Sequence, residues 1–291
     1  MKFFQTVFVP TSILPMLVLG LFFHVLIGRD VAAADKNYDI FQAIADGNMT
    51  IVRSYLNTTD ILALRDPKGH TPLDAAVISN HEDIVRLLLE TGAGVDEKRA
   101  GGFHPLNHAI YNKKTDMARL LIGYNVGINS MGRGGLTPLI TAAGLGQVEM
   151  VEILLQNGAE IEARDDQQWT PLMAAAFDDQ DEVVELLILH EADVNARDYT
   201  GASVLMLAAR RGSEEAVKIL LKNNAEIDAR NLEGETALML AAVRGNEAIV
   251  NMLIQNGADI NLEDYSGENA LHKARKKAKS NVVELLEREV Q

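Results

Sequence analysis

His104 and His108 stand four residues apart, the spacing at which one helical face presents two imidazoles to a metal ion. The chain contains no cysteine, no acidic third ligand lies close by, and His104 occupies the cap position before Pro105. No metal site is therefore expected. The run Asp178-Asp179-Gln180-Asp181-Glu182 has the acidity of a calcium loop but neither its glycine nor its alternating ligands, and it reads as a solvated turn between helices. The glycine-rich "GRGGLTPL" lacks the G-K-[ST] that would cradle a phosphate, and no G-x-S-x-G elbow is present. Nothing assembles a nucleophile, a base and an oxyanion site. No catalytic, cofactor-binding or metal residue is expected; an enzyme would need an unrecognised site around His104 and His108.

The formal charge is −14 over 291 residues, which argues against a general affinity for nucleic acid, whose phosphates need a basic surface. Absence of cysteine also removes disulfides, so an exported chain of this kind must bury enough apolar surface unaided. The N-terminus reads as an export signal. Lys2 begins it, Ile13 to Gly28 is apolar apart from His24, and Ala32-Ala33-Ala34 offers an A-x-A cleavage site before Asp35. The apolar run is short for a spanning helix, and Pro10 and Pro15 interrupt its front, which favours cleavage over an uncleaved inner-membrane anchor facing the periplasm. The expected location is the periplasm, with no stable membrane span after cleavage.

Leucines stand at 73, 106, 139, 172, 205, 238 and 271, each 33 residues after the last. Such a period signals a stacked repeat architecture. Around the leucines lie "GHTPLDAAV", "GFHPLNHAI", "GLTPLITAA", "QWTPLMAAA", "GASVLMLAA", "GETALMLAA" and "GENALHKAR", followed about fifteen residues later by stripes such as "IVRLLLETGA" and "MVEILLQNGA". These copies resemble the ankyrin repeat across Asp35 to Gln291. The implied fold is all-α, a solenoid of about eight helix-turn-helix units with hairpin-like fingers. Residues 1–34 form the signal and 35–291 the repeat domain. A degenerate unit covers 35–65, with repeats starting near 66, 99, 132, 165, 198, 231 and 264. Thr-Pro should start each first helix, the hydroxyl capping and proline at the first helical position. The second helices should end at Gly92, Asn125, Gly158, Glu191, Asn224 and Gly257, with Glu191 the poor fit to a left-handed end. Arg99 and Gly132 depart from the aspartate that opens a finger, and Gln168 from the glycine that closes it, so distorted fingers are expected there.

The resemblance implies that finger tips and the exposed ends of the first helices form a binding surface on a concave side. The variable positions hold Phe103, Leu136 and Trp169 at the tips, and Tyr111, Leu145, Phe177, Arg210, Arg211 and Arg244 on the helices, with Tyr199 and Tyr265 earlier in the fingers. Trp169 and Phe177 bracket the alanines of "WTPLMAAAF" because the alanines are the packing face and the aromatics point away. Exposed aromatics rimmed by charge suit recognition of another protein. Met173, Met206 and Met239, also 33 apart, read as packing residues at the groove's edge. The expected protein is a module, monomeric when free, that binds an envelope enzyme and inhibits or regulates it, for example in self-protection against a periplasmic hydrolase. By the same resemblance, support of a periplasmic catalase in oxidative stress is the alternative. N-terminal sequencing of the native protein should begin at Asp35; a chain that retains Met1 in the cytosol would remove both the location and this class of partner.

Overall fold

The computed structural model describes residues 40–56, 60–93, 104–125 and 127–289. The segment 1–34, Arg99, Gly102 and Phe103 lie outside the described residues. Helices follow one another in pairs: α1 (40–45) with α2 (Met49–Leu56), α3 (Pro72–Ser79) with α4 (Glu82–Glu90), and α5 (Pro105–Tyr111) with α6 (Thr115–Gly123). Next come α7 (Pro138–Gly144) with α8 (Val148–Gln156), α9 (Pro171–Phe177) with α10 (Asp181–Leu189), and α11 (Val204–Arg211) with α12 (Glu214–Lys222). The last pairs are α13 (Ala237–Arg244) with α14 (Glu247–Gln255) and α15 (Ala270–Lys276) with α16 (Ser280–Glu289). No strand forms among the described residues; an isolated antiparallel bridge joins Arg197 to Ser203 in one finger.

The first helices start where their caps dictate. Thr71, Thr137, Thr170, Ser203, Thr236 and Asn269 each accept a hydrogen bond from the backbone N–H three residues on, so the cap persists where proline does not follow. His104 makes no such side-chain cap bond. Ala76, Ala109, Ala142, Ala175, Ala208, Ala241 and Ala274, again 33 apart, are fully buried. They let successive first helices approach more closely than successive second helices do. That difference bends the stack toward the first-helix side. The repeat leucines are buried except the last, Leu271, which is half-buried on the terminal unit, as an end cap requires. The N-terminal unit joins the same core through Ile40, Ala43, Ile44 and Val52.

At Gly132 and Gln168, the two described departures from the pattern, the fingers close as the others do. Gln168 takes the left-handed conformation itself, with φ 62°, and donates its N–H to the Asp165 carbonyl at 2.9 Å. Gly132 keeps the same backbone closure, donating to Leu136 O at 2.8 Å. In the other fingers Asp66, Asp165, Asp198, Asn231 and Asp264 each bind two backbone N–H groups through Oδ1, fixing the turn. Neighbouring fingers are stitched by backbone bonds from Asp166 to Gly134, Tyr199 to Gln167, Leu232 to Thr200 and Tyr265 to Glu233. The guanidinium groups of Arg164, Arg197 and Arg230 reach the carbonyls of Arg197, Arg230 and Glu263, one finger further on.

A third tie joins the helical layer. The residue before the second helix reaches back to the end of the preceding first helix: His81 to Ala45 O, Lys114 to Ile78 O, Gln147 to Ile110 O and Asn246 to Ala209 O. These bonds satisfy carbonyls that a helix C-terminus leaves open.

All six second-helix ends named from the sequence are left-handed, Glu191 included, with φ 67°. An L-residue with a side chain costs roughly 1–2 kcal/mol there, and Glu191 is exposed. Glu191→Gly should therefore stabilise by about 0.5–1 kcal/mol and raise the melting temperature by roughly 2–4 °C. Thermal denaturation followed by circular dichroism reads this directly, and a lower melting point would show that the strain is compensated.

Candidate functional site

The first helices end side by side, so residues 33 apart form rows across the stack. Tyr111 ends α5 and is 69% exposed; Leu136, on the next finger, is 39% exposed. Leu145 caps α7 and is half-buried. Phe177 ends α9, Arg210 and Arg211 end α11, and Arg244 ends α13. Tyr199 projects from its finger at 62% exposure. Phe103 lies outside the described residues.

Trp169 and Phe177 do not point away from the packed face. Both are half-buried, and their rings meet edge to face with centroids 5.0 Å apart and planes at 64°. The indole also packs on Ile140, Ala163 and Ala174. The physical reason is reach: a finger residue and a helix-end residue of one repeat are near enough for two large rings to close the gap between them. The guanidinium carbons of Arg210 and Arg211 stand 5.8 and 5.6 Å from the centre of the Phe177 ring, from the next repeat. The pair therefore belongs to the scaffold and to its surface at once, its free area framed by two cations. Met173, Met206 and Met239 lie in the core, not at an edge.

Two features escaped the sequence reading. Leu232, exposed at 71%, stands on the finger between those of Tyr199 and Tyr265; Tyr265 is exposed at 73%, and Arg230 stacks 5.2 Å from its ring centre. The 33-residue spacing that places Leu232 between the two tyrosines was there to be read. The second is a buried ion cluster. Lys273 Nζ lies 2.8 Å from Glu235 Oε1 and 2.7 Å from Asp264 Oδ2, its side chain only 12% exposed. Burial alone would raise the Asp264 pKa, but the bond from Lys273 and the N–H groups of Glu268 and Ser266 outweigh it and pull the carboxyl below its ordinary value of 3.8. Burial likewise opposes the charge on Lys273, yet its two carboxylate partners hold the amine above 10.5.

Among the described residues no group of three or more His, Cys, Asp or Glu side chains is placed to hold a metal ion. Burial, Lys114 and His70 together lower the pKa of His108, disfavouring its protonated form. No helix among the described residues is long and apolar enough to cross a membrane.

A family model described as ankyrin repeats (3 copies) matches residues 31–132, 106–198, 146–231 and 205–290. The chain belongs to the ankyrin-repeat family. Ankyrin repeats typically mediate binding to other proteins and are generally non-enzymatic modules. No curated protein matches the chain. Within this ankyrin stack the helix ends and finger tips present the exposed aromatic and basic side chains together, while the C-terminal unit ties Lys273, Arg275 and Lys276 into ion pairs.

The Lys273 cluster makes a pH-dependent contribution. Asp264, with a depressed pKa, stabilises fully above 3.8 and loses that contribution as pH falls through its folded value; Lys273, with a raised pKa, stabilises fully below 10.5 and loses it as pH rises beyond. Lys273→Met should lower the melting temperature at pH 7 by about 4 °C or more, since breaking a largely buried pair leaves carboxylates facing each other. The deficit should shrink toward pH 4, where one carboxyl takes up a proton. Melting curves of both proteins across that range check it; an equal deficit at every pH would mean that lost packing, not charge, is responsible.

Proposed function

We propose that this ankyrin-repeat protein is a non-enzymatic, exported module that binds an envelope enzyme through its first-helix ends and finger tips and so inhibits or regulates it. One observation carries the binding part of the reading. Tyr111 and Leu136 expose apolar surface in neighbouring repeats, beside the half-buried Trp169–Phe177 pair, although the stack already has a continuous core that needs none of it. Aromatic residues of this kind are the usual anchors of protein interfaces, where truncating one costs about 2 kcal/mol or more. A rigid stack suits regulation because little ordering cost is left for the moment of binding. The envelope location rests on the signal-like residues 1–34.

The half-burial of Trp169 and Phe177 decides which variants test this. Trp169→Ala with Phe177→Ala removes an internal contact and should lower the melting temperature whatever the surface does. Tyr111→Ala with Leu136→Ala removes two side chains that stand outside the continuous core. Affinity capture from a periplasmic extract with the mature protein as bait, followed by titration of the captured partner, should show a loss of about tenfold or more for the Tyr111–Leu136 variant at an unchanged melting temperature. Unchanged affinity would move the binding surface elsewhere on the stack.

A further inference from the structure

Of the charged residues along the first-helix ends, some are paired and some are not. Lys273 is held by Glu235 and Asp264, and Lys276 by Glu268. Arg211, Arg244 and Lys277, in contrast, form no ion pair with any described residue, and all three are exposed. They occupy one row, 33 residues apart, at the ends of α11, α13 and α15. The carboxylate beside them is Asp178, in the same row one repeat earlier; its pKa is raised because burial outweighs the pull of Arg211. A row of three unpaired cations is out of keeping with a chain that carries 41 acidic side chains against 27 basic ones. Helix dipoles favour cations at these ends only weakly, and they leave the outer side of every charge open.

We propose, resting on the binding reading above, that the partner lays an extended acidic segment along this row, with an apolar residue at one end. The apolar residue would meet Phe177 and Leu145, and carboxylates would follow toward Lys277. Spacing supports the match. Packed helices lie about 8–10 Å apart, and an extended chain advances about 3.3 Å per residue, so every third residue meets the next cation. The segment is therefore apolar-x-x-acidic-x-x-acidic-x-x-acidic, in one chain direction or the other. An anionic membrane would suit the cations too, but the strongly negative remainder of the protein repels such a surface.

The test uses fluorescein-labelled peptides WSGESGESGE and its reverse, their lysine counterparts, and the same acidic peptides with alanine in place of tryptophan. The acidic tryptophan peptide in one direction should bind at least about tenfold more tightly than its lysine counterpart, and weaken on raising salt from about 50 to about 500 mM. Combined Arg211→Gln, Arg244→Gln and Lys277→Gln should abolish that preference, whereas Asp178→Asn should strengthen it. Equal binding of acidic and basic peptides, or no response to the glutamine variant in a protein that still melts normally, overturns the inference. So does binding to phosphatidylcholine vesicles containing about a third phosphatidylglycerol that is lost in the glutamine variant without any acidic-peptide preference. If the captured partner still requires Tyr111 and Leu136 while no acidic peptide binds, the binding face stands and the acidic segment falls.

Discussion

The contact on which the rest depends is the close approach of one first helix to the next through a column of alanines. A two-helix unit of this size leaves one side of its apolar stripe uncovered, and only the neighbouring unit can cover it. With Ala76, Ala109, Ala142, Ala175, Ala208, Ala241 and Ala274 at zero exposure, the first helices sit nearer each other than the second helices do. Curvature follows from that inequality. So does the character of the helix-end surface: positions five and six residues beyond each repeat leucine fall where the first helices stop, half-buried at Leu145 and Phe177 and exposed at Tyr111, Arg211 and Arg244. The polar ties then set register. Backbone bonds between fingers, arginines reaching one finger ahead, and side chains reaching back to a helix end tie the junctions at three heights, and all three meet at the one junction that Leu232, Arg197 and Asn246 make.

The ties are not uniform. At position 180 the glutamine donates to Asp178 O within its own repeat, and at 213 a buried serine hydroxyl finds no partner among the described residues. Serine is too short for the reach that Gln147 and Asn246 make from the equivalent position. The second of these junctions lies between Phe177 and the pair Arg210–Arg211. A hydrogen bond of this type contributes roughly 0.5–1.5 kcal/mol net, and there the stacking of two guanidinium groups on the Phe177 ring stands in the same place. Inter-repeat adhesion in the middle of the stack thus draws on Phe177, Arg210 and Arg211, which separates this region from Tyr111, whose side chain is 69% exposed.

What could be read beforehand follows from what the period constrains. Leucines, alanines, caps and helix ends recur because every unit must solve the same packing problem, so the helical pairs and the packed alanines were legible. Gln168 was misjudged: the expectation weighed the residue's own preference, whereas the stack imposes a left-handed backbone through the ties on either side, there as at Glu191, and a cost of roughly one or two kcal/mol is carried by the whole. The Arg164–Arg197–Arg230 series is visible as a period, but long polar side chains carry no sign of which carbonyl they meet. The Trp169–Phe177 contact was out of reach for another reason. Whether two aromatics on a finger and a helix end turn outward or onto each other depends on the distance between those elements, which periodicity does not encode.

Charge distribution shows the same division between scaffold and surface. An excess of acidic side chains keeps such an elongated stack soluble and discourages stacking of one molecule on another, and it acts at a range set by salt, about 8 Å at physiological ionic strength. Cations placed at the C-terminal ends of first helices gain from the local dipole inside that range, so they can persist in a strongly negative molecule without being neutralised at a distance. Where such a cation lies against the terminal unit, carboxylates close over it, as Glu235 and Asp264 do over Lys273. Further inward the row passes beneath open solvent instead, and the field there is decided by the few nearest groups, not by the net charge. An approaching partner therefore meets repulsion or attraction according to which charges it brings within a few ångströms of the helix ends, which is the condition for selecting among partners rather than attracting all of one sign.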